Sequence, residues 1–169
     1  WNGPHGLPEF DQIADSDFAA AFDAAIAAHN AQISAIAGNA AEATLANTLE
    51  ALELAGDPLS RVSSIFWLKA GAHTNAHIQE LEREISPKIS RHFSAIGMNK
   101  ALFARVDALY QKRDSMGLDG ETRRVLEKSW KGFVRAGARL EPEAQKRLAD
   151  INSALALNGA RFGQNVLAD

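Results

Sequence analysis

Apolar side chains recur at intervals of three and four along nearly the whole chain, and no stretch of four to eight residues alternates apolar with polar. Spacings of three and four gather side chains on one side of an α-helix, whereas a strand repeats every two residues. The pattern therefore predicts an all-α fold. Alanine-rich text with only five prolines and twelve glycines agrees, because alanine loses the least free energy on entering a helix and glycine and proline lose the most.

The stripes and their punctuation give the order of elements. "WNGPHGLPEF" reads as an extended lead-in over residues 1–14, since glycine and proline break regular structure. From Asp15, Phe18, Phe22, Ile26, His29, Ile33 and Ile36 form one stripe, which Gly38 and Asn39 end. A second pattern runs over 44–56 and 58–71 through Leu45, Leu49, Leu52, Leu59, Val62 and Phe66, interrupted at Pro58. Thr74 and Asn75 suit a helix start, followed by Ile78, Leu81, Ile85, Ile89, His92 or Phe93, and Ile96, with a kink expected at Pro87. Asn99 caps the next unit, whose inward residues are Leu102, Phe103, Val106, Leu109 and Tyr110 and whose end is expected at Gly117. "LDGE" opens another, with Leu126, Trp130, Phe133, Gly137 and Leu140 on one side. Pro142 suits the first turn of the last helix, whose stripe is Leu148, Ile151, Leu155, Phe162 and Val166. The expected architecture is an antiparallel bundle of about six helices over residues 15–169, with short connections. Phe66 and Trp67 are adjacent, so they point about 100° apart and only one can enter a given seam.

Composition bounds the function classes. A chain of 169 residues without cysteine has no disulfide framework, no thiol nucleophile and no cysteine zinc cluster. A net charge of -3 and a pI near 6.0 argue against nucleic acid or an anionic membrane as partner, and no apolar run approaches the roughly 20 residues of a membrane span. A cytoplasmic location is expected, with the periplasm left open. The chain begins at Trp1 and stops at "NVLAD", and neither end is expected to be a natural gene terminus; apolar surface around Phe162, Val166 and Leu167 is expected to be open there.

His73 and His77 stand four apart, a spacing with which one helix can share a zinc ion. Thr74 and Asn75 fall between them as caps, which places His73 outside the helix and argues against a shared metal. His29 and His92 each read as a lone packed histidine, and Glu80, Glu82 and Glu84 as a solvated face. The chain has no H-E-x-x-H, no glycine-rich phosphate loop and no G-x-S-x-G, so no catalytic or metal-ligating residue is assigned. Arg124, Lys128, Lys131, Arg135 and Arg139 line one side of a helix. They form either a merely solvated face or an attractive wall for an anionic peptide or partner.

Six segments in this order resemble the N-terminal helical region of the thimet oligopeptidase family of zinc peptidases, and within it the peptidyl-dipeptidases: "GLPEFDQI", "NTLEALELAGDPLSRVSSIF", "AHTNAHIQELEREISPKISRH", "NKALFARVDALYQKRDSMGLD", "FVRAGARL" and "FGQNVLA". Gly97 and Trp67 depart locally from the family's pattern. The resemblance implies a largely helical enzyme of two halves around a deep channel, with zinc held by H-E-x-x-H and a later glutamate, releasing C-terminal dipeptides from short peptides. Those ligands lie in the family's later part and match no position here. On that footing the chain is a non-catalytic channel-wall domain without a cofactor of its own, its partner the catalytic domain of the same polypeptide, and Arg124, Lys128, Lys131 and Arg135 are its candidate channel cations. A free-standing helical interaction module is the alternative, and a small metal protein using His73 and His77 a third.

Overall fold

The computed structural model describes residues 4–168, so Trp1, Asn2, Gly3 and Asp169 lie outside the described residues. Two short 3-10 turns, Pro4–Gly6 and Phe10–Gln12, precede the helices. There follow α1 (Asp17–Ala37), a π-helical segment Leu45–Glu50 continuing into the short α2 (Ala51–Leu54), α3 (Asp57–Ala72), α4 (Ala76–Gly97), α5 (Lys100–Lys112), α6 (Gly120–Ala136) and α7 (Pro142–Ala168). Among the described residues there is no strand, as the periodicity predicts.

Local chemistry sets the helix starts. Asn75, Asn99 and Asp119 each accept a hydrogen bond from the backbone N–H three residues on, Ile78 at 2.9 Å, Leu102 at 2.9 Å and Thr122 at 2.7 Å, which satisfies a donor that has no partner inside the helix. Thr44 and Asn47 bond reciprocally to start the π-helical segment. Pro58 lies in the first turn of α3, where its missing N–H costs nothing, and Pro87 is contained within the continuous span of α4. Helix α5 ends at Lys112 rather than Gly117: the backbone N–H groups of Arg113 and Ser115 bond the carbonyls three residues back, Tyr110 at 3.3 Å and Lys112 at 3.0 Å, and the side chains of the same two residues bond those carbonyls as well, so the chain continues to Gly117 in turns instead of α-helix.

The bundle has three packed centres. Phe18, Phe22 and Ala25 of α1 meet Leu59, Ile65 and Phe66 of α3 and Ile78, Leu81 and Ile85 of α4. Phe66 is completely buried and meets the rings of Phe18 and Phe22 edge-on at 5.2 and 5.4 Å, the arrangement that aromatic quadrupoles favour. Its neighbour Trp67 remains 39% exposed, so the adjacent pair divides as the helical angle requires. Leu49, Val106, Leu109 and Leu126 form the second centre, and Ile33, Ile36 and Leu102 form the third, which shares Leu52 and Phe133 with the second. Gly97 ends α4 where a Cβ would stand 2.6 Å from the Ala136 Cβ of α6, so the glycine is a helix-crossing point.

Helix α7 departs from expectation. It packs along α4, but through Ser153, which is buried with Ala160, and through polar side chains. Arg91 donates to Ser153 Oγ at 2.7 Å, Asn152 to Ser94 Oγ at 3.3 Å, and Gln164 to the Gln79 carbonyl at 2.8 Å and to Glu82 at 2.7 Å. Ile151, Leu155, Phe162 and Val166, expected on the inner stripe, are exposed. Small side chains let the two backbones approach and hydrogen bonds hold them, which leaves the branched and aromatic residues on the far side.

Candidate functional site

The basic face of α6 is built from the back of the helix outward. Leu126 is fully buried, and Trp130 and Phe133 pack behind it. Trp130 stacks on Tyr110 at 4.2 Å between centroids, its indole N–H donates to Asp107 at 2.6 Å, and the guanidinium of Arg113 covers the other ring of the stack, 4.1 Å from the Tyr110 centroid. These contacts fix how α6 is rotated about its axis. Asp119, capping its start, is held below the usual carboxylate range by the backbone N–H and hydroxyl of Thr122, so it stays ionised at the helix end that favours negative charge.

With the helix so held, Arg124, Lys128, Lys131 and Arg135 all point into solvent. They span about 16 Å along the axis at 1.5 Å per residue. Arg124 reaches Glu127 only at 3.9 Å, and among the described residues Lys128, Lys131 and Arg135 form no ion pair. Arg139 leaves the row: its guanidinium lies over Trp130 at 4.9 Å and Phe103 at 5.6 Å and approaches Asp107 at 3.5 Å. The face thus carries four cations, each exposed and screened by salt.

The histidines are arranged differently from their sequence reading. His29 and His92 are not solitary: both are buried, and His92 Nε2 lies 3.0 Å from His29 Nδ1. Burial pushes both imidazoles below their ordinary pKa, and the nearness of His29 adds to the effect on His92. As neutral rings one donates and the other accepts, so the contact satisfies one nitrogen of each. No local pattern announces this contact, because the residues are 63 apart in sequence. His73 ends α3 and His77 lies in the first turn of α4, with the capping Asn75 between them. Among the described residues no group of three or more histidine or acidic side chains could hold a metal ion. The zinc implied by the family resemblance therefore does not fit the donor set of the described residues.

Arg105 was also missed by periodicity. It is buried beneath the α1–α2 connection, donating to the carbonyls of Asn39 and Ala41 at 2.6 and 2.9 Å and to the Asn47 side chain at 2.7 Å. An arginine inside an otherwise apolar stripe was the only sequence signal. Among the described residues no helix is long and apolar enough to cross a membrane.

The fold defines an all-α domain, and the relatives give it a more particular place. A dipeptidyl carboxypeptidase of Salmonella typhimurium is 40% identical over 165 residues, and one of Escherichia coli is 39% identical over 165 residues; each alignment covers 98% of this chain and 24% of the relative. A thimet-like oligopeptidase of Dictyostelium discoideum is 27% identical over 129 residues, 75% of this chain and 19% of the relative. No family profile matches the chain. These matches place the chain among the relatives of the dipeptidyl carboxypeptidases, as the resemblance of its segments led us to expect. It spans about a quarter of the length of the curated relatives it matches.

Proposed function

We propose that this chain is the non-catalytic N-terminal domain of a zinc peptidyl-dipeptidase, an enzyme that releases C-terminal dipeptides from oligopeptides, and that it walls part of the substrate channel. The observation that carries the reading is the alignment of nearly all of this chain with about a quarter of two dipeptidyl carboxypeptidases. The chemistry of the chain is consistent with such a role: its buried histidines are occupied with each other, and its exposed ones lie on separate elements. In this reading the metal and its ligands belong to the remainder of the enzyme, and the domain contributes shape and charge.

The four cations of α6 would draw peptide carboxylates towards the channel. Exposed charges of this kind act over about 8 Å at physiological salt and raise encounter more than they hold ligand. In the longer enzyme, Lys128→Glu combined with Lys131→Glu is expected to raise KM for peptides severalfold at low salt, with kcat unchanged and the difference shrinking as salt is added. A KM unaffected at every ionic strength would remove α6 from the channel. For the domain itself, the 169-residue chain is expected to release no dipeptide from oligopeptides with or without added zinc; zinc-dependent release by it would refute the non-catalytic role.

A further inference from the structure

Helix α7 turns its apolar side away from its own bundle. At 100° per residue, Ile151, Leu155, Phe162 and Val166 fall within a sector about 60° wide, and Ser153, Ala160 and Gln164 lie roughly opposite. The polar side makes the contact with α4, while the four apolar residues are 46, 63, 71 and 60% exposed. Phe93 of α4, half exposed, lines the same groove of about 390 Å³ as Leu155. From Ile151 to Ala168 the only charged side chain is Arg161. A helix whose outer side faces water ordinarily carries charge there, and a continuous uncharged apolar stripe marks a surface that another protein surface covers.

We infer that this stripe, with Phe93 at its edge, is the face on which the remainder of the same polypeptide docks; the inference rests on the reading of the chain as one domain of a longer enzyme. Two observations favour that occupant over a second copy. The relatives are about four times as long as this chain, which supplies a covering surface. The stripe is also a single helix side about 22 Å long, whereas a stable association between separate proteins needs about 800 Å² from each. A surface too small for free association suffices when the partner is joined covalently, because tethering holds it at millimolar effective concentration.

The test compares the 169-residue chain with the full polypeptide its gene encodes, using carbene labelling read by mass spectrometry. Labelling of Leu155, Phe162 and Phe93 is expected to fall severalfold in the longer polypeptide. Leu155→Lys combined with Phe162→Lys is expected to leave the melting temperature of the 169-residue chain unchanged and to lower that of the longer one by several degrees. A longer polypeptide in which these positions label as strongly as in the short chain overturns the docking face alone. Protection already present in the short chain and rising with its concentration would assign the stripe to a second copy and overturn the inference. A gene that ends at residue 169 would refute the domain reading and this inference together.

Discussion

Replacing Gly56 by alanine probes a place where backbone conformation, a buried side chain and a long-range hydrogen bond meet. Gly56 separates α2 from α3 at φ +84°, and its N–H is taken by Gln32 at 2.9 Å. A Cβ there would stand 2.8 Å from Cε1 and 2.9 Å from Nδ1 of His29. The left-handed backbone costs an alanine about 1–2 kcal/mol. The imidazole must also move, and it is not a free end: it is buried and bonded to His92, and disrupting a buried pair leaves polar atoms unsatisfied at about 1–3 kcal/mol. The sum for Gly56→Ala is about 2–5 kcal/mol, measured as a lower urea midpoint at unchanged slope. Repeating the substitution in a His29→Ala background separates the two parts, because the clash and the pair are then already gone. The cost of adding Gly56→Ala should fall to the backbone value of about 1–2 kcal/mol, giving a coupling of about 1–3 kcal/mol in a double-mutant cycle. Equal cost in both backgrounds would refute the claim that the glycine exists to admit the ring.

The same histidine pair makes stability depend on pH. Both groups have folded pKa values below the unfolded value of about 6.5, so the unfolded chain binds protons first; their contribution is complete above that pH and is lost as pH falls below it. Urea midpoints from pH 8 to 5 should decline below about 6.5, by up to about 1.4 kcal/mol per pH unit for each histidine, and the decline should be shallower in His92→Gln. For Arg105→Met, loss of the charge-assisted bonds to Asn39, Ala41 and Asn47 is expected to cost about 2–4 kcal/mol, with increased proteolysis within residues 38–44; a change under about 0.5 kcal/mol, the scale of an ordinary surface substitution, would contradict the clamp.

What could be read in the sequence was what is decided within one turn of chain. Asn75, Asn99 and Asp119 were legible as helix starts because their side chains bond backbone three residues away, and the stripe through Phe18, Phe22, Ile33 and Ile36 was legible because one face of α1 is buried along its length. Contacts that depend on which helices meet were not. His29 and His92 are ordinary in their own segments and become a pair only when α1 crosses α4. Arg105 shares a stripe with Leu102 and Leu109, and nothing local says that carbonyls from another connection await it. Helix α7 misled for a physical reason: periodicity tells that a helix has an apolar side, but which side its neighbour accepts depends on how closely the backbones approach. For the candidate site, the row from Arg124 to Arg135 lies on one exposed side of α6, whereas Arg139 falls outside it because α6 ends at Ala136, where Gly137 turns left-handed at φ +98°, and its guanidinium then settles over Trp130 and Phe103.

The hydrogen bonds between α4 and α7 carry position more than adhesion. Ser153, Asn152 and Gln164 each meet a partner at one height on α4, so a slide of α7 by a single turn, about 5.4 Å, would break all of them together, whereas a greasy seam would tolerate it. The helix therefore behaves like a keyed shaft: it admits one axial setting, and whatever meets its far side finds Phe162 and Leu155 at fixed heights.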